Sequence, residues 1–93
     1  MEKILEVGKK YSEVTGIFAD AFVDELQRMS ASPEITALVI DLKGTLLISS
    51  LAISAIFSVY KDFANRNKVV RIINPSPRTV NVIKMLNMGA MLN

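Results

Sequence analysis

The adjacent hydroxyls of Ser49 and Ser50 are the side chains of this sequence best placed to do chemistry. They follow an apolar run, Leu38-Val39-Ile40, and a polar link, Lys43-Gly44-Thr45, and they lie early in an uncharged stretch that begins at Leu46. A serine hydroxyl at such a point can accept the free N–H groups of a first helical turn. The same position suits an added phosphate, because unpaired N–H groups and the helix dipole both favour negative charge there. A phosphoryl group would add about −1.5 to −2 charges to a neutral surface, enough to expel a docked partner. Plain capping accounts for either serine without any modification.

Other chemistry finds little support. The chain has no cysteine and no histidine, which removes thiol catalysis, imidazole acid–base chemistry and the usual zinc ligands. Its four glycines, Gly8, Gly16, Gly44 and Gly89, are scattered singly, so no phosphate-cradling loop follows a strand. Asp41 ends a strand-like run, where a lone acid ordinarily caps a turn. The five methionines are spread along the chain and read as core filling. The expectation is a protein that is not an enzyme, with no catalytic residues, no metal and no cofactor.

The elements that must position the serines follow from periodicity. Strands are expected near 3–7, 35–41 and 68–73, and Leu38-Val39-Ile40 reads as buried on both faces. Helices are expected near 16–30, 50–65 and 77–88. In the first, Phe18, Phe22, Leu26 and Met29 recur every three or four residues, opposite Asp20, Asp24 and Gln27. Thr15 is the expected cap of that helix. In the second, Ile53, Ile56 and Tyr60 make one stripe, and Ala52, Val59 and Phe63 another. Asn65-Arg66-Asn67 should close it. Ser76-Pro77 starts the third helix, Val80, Ile83, Leu86, Val82 and Met85 supply its apolar side, and Gly89 is the expected exit. Ala90-Met91-Leu92 is a candidate for a brief last strand. Strand and helix alternate three times with short links, so the fold class is α/β: a small, mainly parallel sheet with right-handed crossovers, in one domain spanning 1–93. Such sheets place functional loops at the carboxyl ends of strands, here the link Lys43–Ser50.

Charge is lopsided. Residues 1–60 hold five bases against eight acids, whereas 61–93 hold six bases against one acid. Lys61, Arg66, Lys68, Arg71, Arg78 and Lys84 are dispersed, with no stacking aromatics among them, so solvated helix ends are expected and not a nucleic-acid surface. The uncharged run Leu46–Tyr60 falls short of the roughly 20 residues a bilayer requires, and no membrane span is expected. The N-terminus, MEKILEVGKK, lacks a signal-peptide core, and a cytoplasmic protein is expected.

The sequence resembles the STAS family, the anti-sigma-factor antagonists and the related domains of sulphate transporters. The family pattern is a strand ending near D-L-K or N-L-K, a short link, and D-S-[ST]-G opening a helix. Asp41-Leu42-Lys43 and Ile48-Ser49-Ser50-Leu51 follow it in length and hydrophobicity. Gly8-Lys9-Lys10-Tyr11-Ser12 resembles the link before the family's first helix. Arg71-Ile72-Ile73-Asn74-Pro75-Ser76-Pro77 resembles its late strand, link and helix. Ile48 stands where the family has aspartate, and Leu51 where it has glycine. The family's strand preceding Lys3–Val7 has no counterpart, so an uncovered edge is expected there, with room for a homodimer.

The resemblance implies a regulatory protein–protein interaction domain. Family members are switched by a partner kinase at the serine after the aspartate, which maps to Ser49, with Ser50 as the next hydroxyl. It further implies a partner surface over Ile48, Ser49, Ser50, Leu51, Ala52 and Ile53, and a protein partner of the anti-sigma-factor or serine-kinase type. The alternative is a structural or accessory subunit of a larger assembly, of scaffold or lipid-transport type, with the phosphorylation switch lost.

Overall fold

The computed structural model describes residues 1–92; the final residue of the expected 1–93 domain lies outside them. Three five-residue strands, β1 (Glu2–Glu6), β3 (Ala37–Asp41) and β5 (Val69–Ile73), form a parallel sheet in the order β1-β3-β5. Two-residue strands, β2 (Glu13–Val14) and β4 (Leu47–Ile48), pair in parallel as a separate small sheet. The helices are α1 (Gly16–Ala31), α2 (Ser50–Asn65) and α3 (Pro77–Met85), with single 3-10 turns at Val7–Lys9 and Gly89–Met91. The expected strands and helices are all present, and the three main strands lie side by side in chain order.

The core lies on one side of the main sheet. Lys3, Leu38 and Val70 share one register row, and Leu5, Ile40 and Ile72 the next. Apart from Lys3 at the edge, these side chains are buried. They meet Phe22 and Leu26 of α1, Ile53, Ile56 and Phe63 of α2, and Ile83 of α3 in a single cluster. Full burial of each such side chain contributes about 1.5–3 kcal/mol.

Several local expectations are corrected. Thr15 makes no side-chain cap; the chain enters α1 through Gly16 at φ 56° instead. Phe18 is half exposed and stacks obliquely on Tyr11, while Ala19 takes the buried place beside Phe22 and Leu26. Met85 is 82% exposed, and Thr79 is buried on the inner side of α3 in its stead. Asn87, at φ 59°, makes the left-handed exit expected of Gly89, and Met88 N–H returns to the Ile83 carbonyl (3.0 Å). The α2 exit at Asn67 (φ 57°) is as expected. The candidate last strand is mostly a 3-10 turn, from which only Leu92 bridges to Ile72. The late bases are not all free of aromatics as expected: Arg66 and Lys68 both lie over the Phe63 ring and Lys61 over Phe57, while Arg66 also binds Asp62 and the Ser30 carbonyl and Arg71 faces Glu2.

Gly8 is required by a close approach of two backbones. A methyl group there would overlap the Lys43 carbonyl oxygen, whereas one at Gly89 would meet nothing. Gly8→Ala is expected to destabilise the fold by roughly 2–4 kcal/mol, and Gly89→Ala to stay within about 0.5 kcal/mol of the parent. Urea unfolding of the two variants checks the contrast.

Candidate functional site

The small β2–β4 sheet fixes the entry to α2. Leu46 N–H donates to the Ser12 carbonyl (2.7 Å), and Ser49 N–H to the Val14 carbonyl (2.9 Å). The buried Thr45 hydroxyl donates to the Tyr11 carbonyl (2.9 Å). These bonds tie the link after β3 to the segment before α1, so Ser49 is delivered in an extended conformation (φ −69°, ψ 155°). Its Oγ accepts the Ala52 N–H at 3.2 Å and its carbonyl accepts from Ile53 at 3.0 Å, the arrangement of an N-cap. No acidic residue occupies the first turn of α2.

The six residues expected at the partner surface do not share one environment. Ile48, Ala52 and Ile53 are buried in the core and offer no contact area, which corrects their placement on the surface. The reason is geometric: Ile48 pairs with Val14 in the small sheet, and Ala52 and Ile53 lie on the side of α2 that faces the main sheet. Ser49 is half-buried, Ser50 is exposed, and Leu51 projects with 64% of its surface open. Beside Leu51 runs a groove of about 500 Å3 between α1 and α2, lined by Val23 and Ala55 and bordered by Asp20 and Asp24. Ile17, 77% exposed, begins the same helix one turn before Asp20. Sequence reasoning passed over Leu46 and Ile17, both exposed, because an apolar residue at the end of an apolar run reads as core. Ser76, the cap of α3, reaches the Leu46 carbonyl at 3.4 Å, so two helix starts flank this surface.

Asp41 has a different role. Its Oδ1 accepts the Lys43 N–H (3.0 Å) and the Asn74 side-chain amide (3.1 Å), so it braces the ends of β3 and β5 as a turn cap. The Lys43 amide first, and Asn74 second, hold its carboxyl below the usual carboxylate range. Among the described residues, no cluster of His, Cys, Asp or Glu is placed to hold a metal ion, and no helix is long and apolar enough to cross a membrane.

The described residues thus fold as a small parallel α/β unit whose second helix is opened by a serine pair. The chain belongs to the STAS domain family, whose sequence model matches residues 11–93. Among solved structures, the anti-sigma factor antagonist SpoIIAA in its unphosphorylated form superposes with a TM-score of 0.77. That match covers 99% of this chain and 76% of that one at 11% identity, a likeness of fold. Comparison with curated proteins finds no match.

Two stability predictions follow from the geometry. Ser49→Ala should cost about 1 kcal/mol through loss of the cap, whereas Ser49→Asp, an equally good cap, should unfold close to the parent. Asp41→Ala should cost about 0.5–1.5 kcal/mol at neutral pH, the contribution of a modest hydrogen-bonded brace. Because the folded-state pKa of Asp41 is depressed, its contribution is present above the ordinary carboxylate range and lost as pH falls through the folded value. The parent and Asp41→Ala should therefore converge in stability in acid, as read from denaturant unfolding across pH.

Proposed function

We propose that residues 1–93 act as one regulatory STAS domain that works by protein–protein contact, without catalysis, at the start of α2. The observation that carries this reading is the projecting Leu51, beside the exposed Ser50 and the capped Ser49, at the mouth of the α1–α2 groove. An exposed leucine next to a half-apolar groove favours docking by a partner's apolar side chain. The partner is a protein of the anti-sigma-factor or serine-kinase type, and the domain works in the cytoplasm. Ser49 is the position on which switching depends, with Ser50 as the more open hydroxyl. A phosphate on Ser49 could keep the Ala52 N–H as a donor, so modification would change the partner surface without dismantling the helix.

A second reading has its own support. Ile48, in the place of the family's aspartate, is built into the core, and Leu51 gives the surface a permanent apolar contact. Both suit an accessory subunit held constitutively in a larger assembly with the switch lost.

The experiment is a pull-down of partners from the native cells, followed by binding measurements on two variants. Leu51→Glu should weaken binding at least about tenfold, equivalent to about 1.4 kcal/mol. Under the switch reading Ser49→Asp weakens it as well, and Ser49→Ala does not. Loss with Leu51→Glu alone assigns the accessory role, and full binding by both Leu51→Glu and Ser49→Asp removes this surface from the function.

A further inference from the structure

The two edges of the main sheet are finished differently. Along a strand, the backbone groups of successive residues point to alternate edges. In β5 the Ile73 carbonyl accepts the Leu42 N–H, so Ile73 faces β3 and Ile72 faces outward. There the chain's own tail closes the edge, through a parallel bridge from Leu92 to Ile72. In β1 the Met1 carbonyl accepts the Thr36 N–H at 2.9 Å, so Lys3 and Leu5 also face β3. The N–H and C=O groups of Glu2, Ile4 and Glu6 therefore line the outer edge, and among the described residues no strand pairs with them. A groove of about 270 Å3 follows this edge, lined by residues 3–6 of β1 and by Glu25 and Met29 of α1.

We propose that this groove takes one extended segment of a protein partner, which adds to β1 as a fourth strand and carries an acid two residues from an apolar side chain. The backbone sets the first requirement. Alternating outward N–H and C=O groups are matched by a strand of about five residues, and not by a helix, whose own groups are already paired. The groove sets the second. Lys3 and Leu5 point to the side of the sheet that holds the core, so an apolar residue beside Leu5 also meets the half-buried Met29. Charge sets the third. Of the ionic groups around this edge, Glu2 faces Arg71, Glu6 holds Lys9 and Glu25 holds Lys10. Lys3 alone among them has no counter-ion within the described residues. An acid in the added strand supplies it, two places from the residue beside Leu5.

A second copy of this chain meets these requirements poorly. Pairing β1 with itself antiparallel about Ile4 engages all three outward residues, but it sets Glu2 of each copy against Glu6 of the other. It also puts Leu5, and not an acid, beside each Lys3. The groove shares no residue with the surface around Ser49 and Leu51, so the inference does not rest on the reading of that surface.

The test uses the whole chain, 15N-labelled, and blocked synthetic peptides of about nine residues, the upper range of a strand. Each alternates threonine with larger side chains around a central valine. One carries glutamate two places to either side of the valine, a second carries lysine there, and a third is the first with its backbone nitrogens methylated. In the free chain the amides of Glu2, Ile4 and Glu6 should exchange fast, and the glutamate peptide should slow them. The lysine peptide should bind at least tenfold more weakly, and the methylated peptide not at all. Ile4→Pro removes the central outward N–H, which an edge strand tolerates, and should abolish binding with circular dichroism unchanged. Lys3→Glu should reverse the preference between the two charged peptides, and it decides the matter if the proline variant does not fold. No binding of the glutamate peptide at millimolar concentration, equal affinity for both charges, binding that survives methylation or a folded Ile4→Pro, or shifts confined to α1 and α2 would overturn the proposal. So would slowed exchange of the same amides with rising protein concentration alone, which would assign the edge to a second copy.

Discussion

The structure depends on the seating of β3 between two parallel neighbours. Leu38 and Ile40 project from it into the core, and its two edges give backbone partners to β1 and β5. Neither outer strand touches the other, and α1 and α2 are held where they are by the apolar rows that β3 centres. Everything beyond the sheet is placed by what leaves β3 at its carboxyl end: Asp41 turns the chain, Leu42 N–H bonds the Ile73 carbonyl at 3.0 Å, and the link continues to β4. The start of α2 is therefore fixed twice, once through β3 and once through the small sheet with β2.

This double fixation gives the candidate site its character. Ser49 has its amide, carbonyl and hydroxyl oxygen all engaged, so its conformation is set before any partner arrives. Ser50 and Leu51 are displayed by that rigid frame. A preorganised surface of this kind loses little conformational freedom on binding.

Much of this was legible in the sequence, for a physical reason. The main strands and helices each bury a stripe with a clear period, and period survives in the chain as pattern. Features set by a few hydrogen bonds between distant segments were not legible. Glu13-Val14 and Leu47-Ile48 are too short to show alternation, and each reads as a link until it is seen beside the other. Phe18 and Met85 obey helical spacing, yet the fold leaves both exposed. Leu38-Val39-Ile40 reads as a strand with two buried faces, and Val39 is indeed buried, though it stands apart from the core cluster. The family pattern located Ser49 correctly at a helix mouth. It could not tell that Ile48, Ala52 and Ile53 would turn inward.

The register of the main sheet also bears on how the chain is made. Glu2 pairs with Ala37, and Ala37 with Val69, so no two neighbouring strands are close in sequence and no hairpin can form early. Ordering a chain before distant pairings reward it is slow relative to local helix formation. During synthesis, β1 leaves the ribosome before β3 and must wait, unpaired, until β3 has emerged and α1 has closed the gap. The residues it exposes meanwhile are Glu2, Lys3 and Glu6 around Ile4 and Leu5. Charge on a waiting strand discourages pairing with the wrong chain, so the acidic fringe of the sheet also guards the nascent protein against aggregation.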